Sequence, residues 1–95
     1  MTKIIIDNIS LELIKNIKDA FNEDEFREKC TDYFLEFDYI VGDYAYNKLR
    51  LKGFYDNKNK KAKSINNIKD LDKYIKEYCS YGCKYYVFKS EKCKY

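Results

Sequence analysis

The sequence predicts an α+β fold, with a small and mostly antiparallel sheet and two helices in the element order ββαββαβ. Short runs of β-forming residues are bounded by turn residues, and two other segments repeat apolar residues at helical spacing. The chain has 95 residues, no proline and no Gly/Ser-rich linker. A domain of about 100 residues can close one core. Residues 1–95 are therefore predicted to form a single domain whose helices pack on one face of the sheet.

Two β-hairpins are predicted. Residues 3–6 and about 11–16 are rich in isoleucine and leucine, and the Asp-Asn pair at 7–8 consists of residue types that tolerate turn dihedrals. Residues 39–44 and 48–55 are rich in β-formers and are separated by a short polar break. Each pair of segments is expected to form two neighbouring antiparallel strands.

The rest of the pattern predicts two helices, an exposed loop and a last strand. A capping-box-like start and apolar residues at helical spacing predict a first helix over about 23–36. The segment 56–64 is rich in lysine and lacks large apolar residues, so it is expected to be an exposed loop. A second helix is predicted to begin at Asn67 and to end at Gly82, because glycine supplies the left-handed residue that often ends helices. A strand is expected at about 84–89.

The charges are unevenly distributed along the chain. Residues 1–45 hold 5 Lys/Arg against 11 Asp/Glu, a net charge of −6, and residues 46–95 hold 14 against 5, a net charge of +9. If the fold keeps these halves on separate faces, one face suits an anionic partner. The alternative is a charged surface that only keeps the domain solvated.

Alternation along the strand at 48–55 predicts a face that is both basic and aromatic. Leu49 and Leu51 share one face, which is expected to be core, while Arg50, Lys52 and Phe54 share the other. A sheet that offers cations and rings is a common way to hold single-stranded nucleic acid. The candidate nucleic-acid-binding residues are Arg50, Lys52, Phe54, Lys58, Lys60, Lys61, Lys63 and Tyr86.

In this hypothesis the cations contact phosphates, while Phe54 and Tyr86 stack on bases. The alternative is that the same rings belong to the core beneath the helices.

The sequence argues against catalysis. It contains no histidine, which removes the commonest general base and metal ligand and excludes Ser-His and Cys-His nucleophiles. Asp38 and Asp43 are expected to point to opposite faces because their separation is odd, and Asp43 is expected to form a salt bridge with Arg50. We therefore predict a protein that is not an enzyme, with no cofactor, metal or evident small-molecule substrate.

The cysteines leave one reactive possibility open. Cys79 and Cys83 have a C-x3-C spacing, unlike the C-x2-C of zinc knuckles and redox pairs. They are predicted to be either a redox pair or two small apolar residues at a helix end. No run approaches the roughly 20 apolar residues that span a bilayer, and the start is too short for a signal peptide. We expect a cytoplasmic protein without a membrane partner and with reduced thiols.

Three motifs follow one another along the chain. They are Phe-Asp-Tyr-Ile-Val-Gly-Asp-Tyr at 37–44, Leu-Arg-Leu-Lys-Gly-Phe-Tyr at 49–55 and Glu-Tyr-Cys-Ser-Tyr-Gly-Cys at 77–83. In this order and spacing they resemble the YutD-like family of uncharacterised bacterial proteins, and the likeness extends over about 21–88. The resemblance implies an α+β fold and a bacterial cytosolic setting. It implies no activity.

Two hypotheses of function remain. The first is a non-enzymatic regulatory binding module that docks RNA or single-stranded DNA on its basic C-terminal half. The second is a protein–protein adaptor or small inhibitor that acts through a charge-asymmetric surface. Salt-dependent binding of nucleic acid would favour the first, and a stoichiometric protein partner that survives nuclease treatment would favour the second.

Overall fold

The computed structural model describes residues 2–78 and 84–94. Within these residues the chain forms five strands and three helices. The strands are β1 (Lys3–Ile6), β2 (Ile9–Ile17), β3 (Tyr39–Ala45), β4 (Lys48–Phe54) and β5 (Tyr85–Ser90). The helices are α1 (Glu23–Lys29), α2 (Asp32–Leu35) and α3 (Leu71–Tyr78), the last preceded by a 3-10 turn at Ile68–Asp70. The predicted α+β class is confirmed.

The five strands form one sheet in the order β1-β2-β5-β3-β4, and every neighbouring pair is antiparallel. Both predicted hairpins are present, as β1–β2 and β3–β4. The last strand, β5, lies in the centre and joins the two hairpins. The edges of the sheet are β1 and β4.

Both hairpins close through two-residue turns with left-handed backbone. Asp7 and Asn8 have φ of 51° and 66°, and Tyr46 and Asn47 have φ of 52° and 63°. Positive φ at both central residues is typical of the type I′ turn, whose twist matches that of the flanking strands. The Asp-Asn turn was predicted, and the Tyr-Asn turn lies in the predicted polar break.

The single helix predicted over 23–36 is wrong, because the structure divides it into α1 and α2. Its start is correct: the Asn22 side chain accepts a hydrogen bond from the Glu25 amide at 3.0 Å. α1 ends at Lys29, because its C-cap residue Cys30 is extended, with ψ of 120°, and Thr31 is also extended, with ψ of 174°. Threonine is β-branched and favours the position before a helix over its interior, so the chain restarts there as α2.

The helices cover both faces of the sheet, so the expectation that they pack on one face is wrong. On one face, α1 and α2 bury Phe26 and Leu35 against strand residues such as Ile40 and Phe88. On the opposite face, Leu71, Tyr74 and Ile75 of α3 pack on Val41, Phe54 and Val87. The central strands have neighbouring residues buried on both sides, including Ile40 with Val41 and Val87 with Phe88. Such continuous apolar runs need cover on two faces.

This arrangement separates part of the charge across the sheet. Residues 23–36, which include α1 and α2, carry six acidic and two basic side chains. The cations Arg50 and Lys52 lie on the other side, next to α3. None of the helices within the described ranges has the length and apolar character needed to cross a membrane.

Candidate functional site

The site lies on the side of the sheet that α3 covers, where an open groove of about 610 Å³ runs between β4 and α3. We call it the β4–α3 groove. Strand alternation brings Arg50, Lys52 and Phe54 to this side, as predicted, and Leu49 and Leu51 pack into the core of the other side. The groove is lined by Arg50, Lys52, Phe54, Ile65, Lys73 and Tyr74, among others.

Aromatic rings form the base of the groove. Phe54 is 1% exposed, and the Tyr74 ring packs edge-to-face against it with 5.5 Å between centroids. The Lys52 ammonium lies 5.3 Å from the Phe54 centroid and 5.7 Å from the Tyr74 centroid. Such cation–π contacts contribute about 0.5–1 kcal/mol at exposed sites. They hold the Lys52 charge over the groove, next to the buried Phe54 ring and the half-buried Tyr74 ring.

The salt bridge predicted between Asp43 and Arg50 is confirmed. The two residues are directly opposite one another in the β3–β4 ladder. The Arg50 Nη2 and Nε groups donate hydrogen bonds of 2.9 and 3.2 Å to the two Asp43 carboxylate oxygens. The hydrogen bond to Asp43 raises the pKa of the Arg50 guanidinium, although partial burial opposes it. The two hydrogen bonds to Asp43 position the Arg50 guanidinium beside Lys52.

The rim of the groove carries an exposed apolar side chain. Ile65 is 72% exposed and lies between the lysine-rich loop and the turn into α3. Lys73 on α3 also lines the groove, and Asp70 and Glu77 add negative charge. The groove thus combines an apolar side chain at its rim, aromatic rings at its base and charged side chains of both signs. Surfaces with this composition are typical of protein contacts.

Comparison with known proteins identifies the family. Residues 5–89 match the family described as "Putative antitoxin YutD-like". The chain belongs to the YutD-like family. A relative from Bacillus subtilis (strain 168), "Putative antitoxin YutD", is 50% identical over 86 residues, which cover 90% of this chain and 94% of the relative.

A solved structure confirms the fold of this YutD-like chain. The solution NMR structure of protein yutD from B. subtilis superposes with a TM-score of 0.82 at 46% identity. The match covers 98% of this chain and 84% of the other. The family resemblance found in the three motifs is therefore confirmed.

The two rings predicted to stack on bases do not lie on one surface. Phe54 belongs to the side covered by α3, and Tyr86 belongs to the core beneath α1 and α2. Tyr86 is 0% exposed, with Phe21 packed edge-to-face against its ring at 5.2 Å. Burial is the main cause of a strongly raised Tyr86 pKa. Neither ring offers a face to a base in this structure, so the stacking role predicted for them is corrected.

The predicted loop cations lie where expected. Lys58, Lys60, Lys61 and Lys63 are exposed in the segment that follows β4. Asp38, 4% exposed, anchors this loop by accepting hydrogen bonds from the Asp56 amide at 2.8 Å and from the Asn59 side chain at 2.9 Å. From the sequence, Asp38 was considered only as a possible catalytic acid or base. Its observed role is to hold the loop against the sheet.

The structure does not describe the two cysteines of the predicted redox pair. Cys79 and Cys83, the candidate redox pair, lie outside the described residues. Cys30 is buried between α1 and α2, and burial raises its thiol pKa to about 11, with Asp7 and Asp32 adding to the shift. In residues 2–78 and 84–94 no group of three or more Cys, Asp or Glu side chains is placed to hold a metal ion.

Sequence reasoning missed Tyr74 and Ile65. Tyr74 was available from the pattern, because it follows Leu71 by three positions and so falls on the same apolar stripe as Ile75. Ile65 had no such signal. An isolated isoleucine after a polar loop is as compatible with a buried anchor as with an exposed rim.

Proposed function

We propose that this protein is a non-enzymatic, cytoplasmic antitoxin-type module that binds a partner protein in the β4–α3 groove. The observation that carries the proposal is the exposed Ile65 above a floor of Phe54 and Tyr74, flanked by the held cations Arg50 and Lys52. Apolar anchors bordered by polar groups dominate the binding energy of protein interfaces. The name "Putative antitoxin YutD", carried by the B. subtilis relative, supports a partner that the module neutralises by binding.

The experiment is affinity purification of the tagged full chain from its host after nuclease treatment. We expect one stoichiometric protein to be retained by the native chain and lost with Ile65→Asp. The matched control is Ile5→Asp, since Ile5 is 61% exposed on the opposite edge of the sheet. Retention of the partner by Ile65→Asp, or equal loss with both variants, would overturn the groove as the binding site. Toxicity of the retained protein, relieved by co-expression with this chain, would support the antitoxin role.

Binding of RNA or single-stranded DNA is the second candidate. The four exposed loop lysines favour it, because they follow one another closely on a loop that Asp38 anchors. Without ring stacking, affinity would come mostly from phosphate contacts and would fall steeply with salt. Filter binding at low salt with Lys60→Glu and Lys61→Glu tests this role. No binding by the native chain, or binding that is insensitive to salt, removes the nucleic-acid candidate.

A further inference from the structure

We infer that the outer edge of β4 binds its partner by strand addition, with an extended acidic and apolar segment of another protein pairing along it. This inference rests on the proposed function and specifies how the partner is recognised. In this binding mode, main-chain hydrogen bonds supply affinity and pockets for alternate side chains supply specificity.

The first observation is the edge itself. β4 is an edge strand whose ladder with β3 is regular over its whole length, from Ala45↔Lys48 to Tyr39↔Phe54. β4 has seven residues, whereas β1 at the other edge has four. Just past the end of β4, Tyr55 pairs with residues 66–68 of the same chain, so the template for pairing with a further chain is limited to β4 itself.

The second observation is that β4 borders a groove on each side of the sheet. The β4–α3 groove lies on one side. On the other side, α1 and the start of β4 border a groove of about 440 Å³, which we call the β4–α1 groove. It is lined by Glu25, Glu28, Lys29, Asn47, Lys48 and Leu49. Because side chains of a strand point alternately to the two faces, an added strand would place successive side chains in the two grooves.

The third observation specifies the occupant. Residues directly opposite in an antiparallel pair share a face, and opposite charges there are stabilising. Arg50 and Lys52 face the α3 side. Because Asp43 already pairs with Arg50, Lys52 is the cation that favours an acidic residue on that side of the added strand. On the other side, the half-buried Leu51 favours an apolar residue opposite it, whereas Leu49 is 3% exposed and the β4–α1 groove beside it is lined mostly by charged side chains.

A second copy of this chain fits poorly at the same edge. Antiparallel pairing of two β4 strands about a two-fold axis would place Arg50 and Lys52 opposite the same cations of the other copy. Like charges at directly opposite positions are destabilising, and lysine on an edge strand is a known means of blocking self-association. The edge therefore selects a different chain with the acidic and apolar pattern.

The test uses the isotope-labelled full chain and two synthetic peptides, one alternating glutamate with valine and one alternating lysine with valine. We expect the glutamate peptide to bind and to slow hydrogen exchange at alternate β4 amides, which are those that point away from β3. The lysine peptide should bind much more weakly. Lys52→Glu should weaken binding of the glutamate peptide by about fivefold, whereas Lys3→Glu on β1 should leave it unchanged.

Absence of binding, equal binding of both peptides, or binding without protection of β4 amides would overturn strand addition. These results are independent of the affinity purification. If Ile65→Asp loses the protein partner while the β4 amides stay unprotected by the peptide, the proposed function stands and the strand-addition mode falls. If the native chain retains no partner while the peptide binds and protects β4, the proposed function falls and the edge site stands.

Discussion

Asp43 and Arg50 form an ion pair in which the carboxylate is buried and the guanidinium is partly exposed to solvent. The Asp43 side chain is 1% exposed and the Arg50 side chain is 41% exposed, and their closest atoms are 2.9 Å apart. A buried charge is costly when its partner is removed, because the remaining ion is left without compensation. The stability of the β3–β4 hairpin therefore depends on a residue that also borders the proposed binding groove.

Arg50→Ala is expected to lower the free energy of unfolding by about 2–4 kcal/mol, the lower part of the range reflecting access of water to the pair. Urea denaturation followed by circular dichroism measures it. Asp43→Asn combined with Arg50→Gln should recover much of the loss, because no buried charge remains. Lys52→Ala serves as the control and should cost less than about 1 kcal/mol. Equal effects of Arg50→Ala and Lys52→Ala would contradict the burial argument.

Gly42→Ala is expected to destabilise the sheet by about 1–3 kcal/mol, the usual range for overpacking. A Cβ at this position would lie 2.4 Å from Cζ of the Tyr86 ring. The ring cannot easily move, because it is 0% exposed and packs against Phe21 and Phe26. Thermal unfolding of Gly42→Ala, alone and combined with Tyr86→Leu, measures the clash. If the smaller side chain at 86 brings no relief, the contact is not the cause.

Raising the pH is expected to destabilise the protein through Cys30. Burial raises the thiol pKa from 9.0 to about 11 in the folded chain. Since the folded state holds this proton more tightly, the stabilisation is complete below pH 9 and is lost as the pH rises towards 11. The loss should be about 2 kcal/mol. Cys30→Ala should flatten the decline in stability over this interval, and a native chain whose stability stays level there would contradict the assignment.

Two tyrosines are expected to lower the stability of the folded chain further at alkaline pH, and this loss of stability should persist in Cys30→Ala. Burial is the main cause that raises the pKa of Tyr39 and of Tyr44 to about 12, and Glu25 adds to the shift of Tyr44 by accepting its hydroxyl hydrogen bond. Their contribution is lost as the pH rises from 10 towards 12. Absorbance of tyrosinate, measured during the same titration, separates the loss of stability caused by the tyrosines from the loss caused by the Cys30 thiol.

Tyr46→Asn is expected to stabilise the protein by about 0.5–1 kcal/mol. Tyr46 is 99% exposed and has a φ of 52°, a left-handed conformation that asparagine adopts more readily than tyrosine. The change in melting temperature measures the gain, and Tyr46→Val, which is β-branched, should lower it. If Tyr46→Asn is no more stable than the native chain, strain at this turn is not a significant cost.

The sequence predicted local structure well because local signals are strong. Turn residues located the Asp7-Asn8 hairpin, and period-2 alternation placed Arg50 and Lys52 on one side of β4. The position of α3 was not predictable in the same way. Alternation shows which side chains share a face, but it does not show what packs on that face. From the sequence, the rings of Phe54 and Tyr86 could therefore be either exposed or part of the core. The fold decides, because α3 covers Phe54 on one face and α1 and α2 cover Tyr86 on the other.

The family motifs had a similar limit. They contain the segments that carry Asp43 and Arg50, but Ile65 and Lys73 lie outside them and come to the groove only through the fold. A binding surface assembled from a loop, a helix and an edge strand has no continuous pattern for sequence reasoning to detect.

The placement of β5 has a consequence for how the chain is made. The strand that lies between the two hairpins is synthesised after the other four strands of the sheet, and its partners β2 and β3 are made long before it. Before β5 is made, β2 and β3 each lack the neighbour that joins the two hairpins in the finished sheet. Long-range pairing of this kind slows folding and leaves strand edges available to other chains. Newly synthesised molecules thus spend an interval in which chaperones can bind the same strands that the finished sheet will enclose.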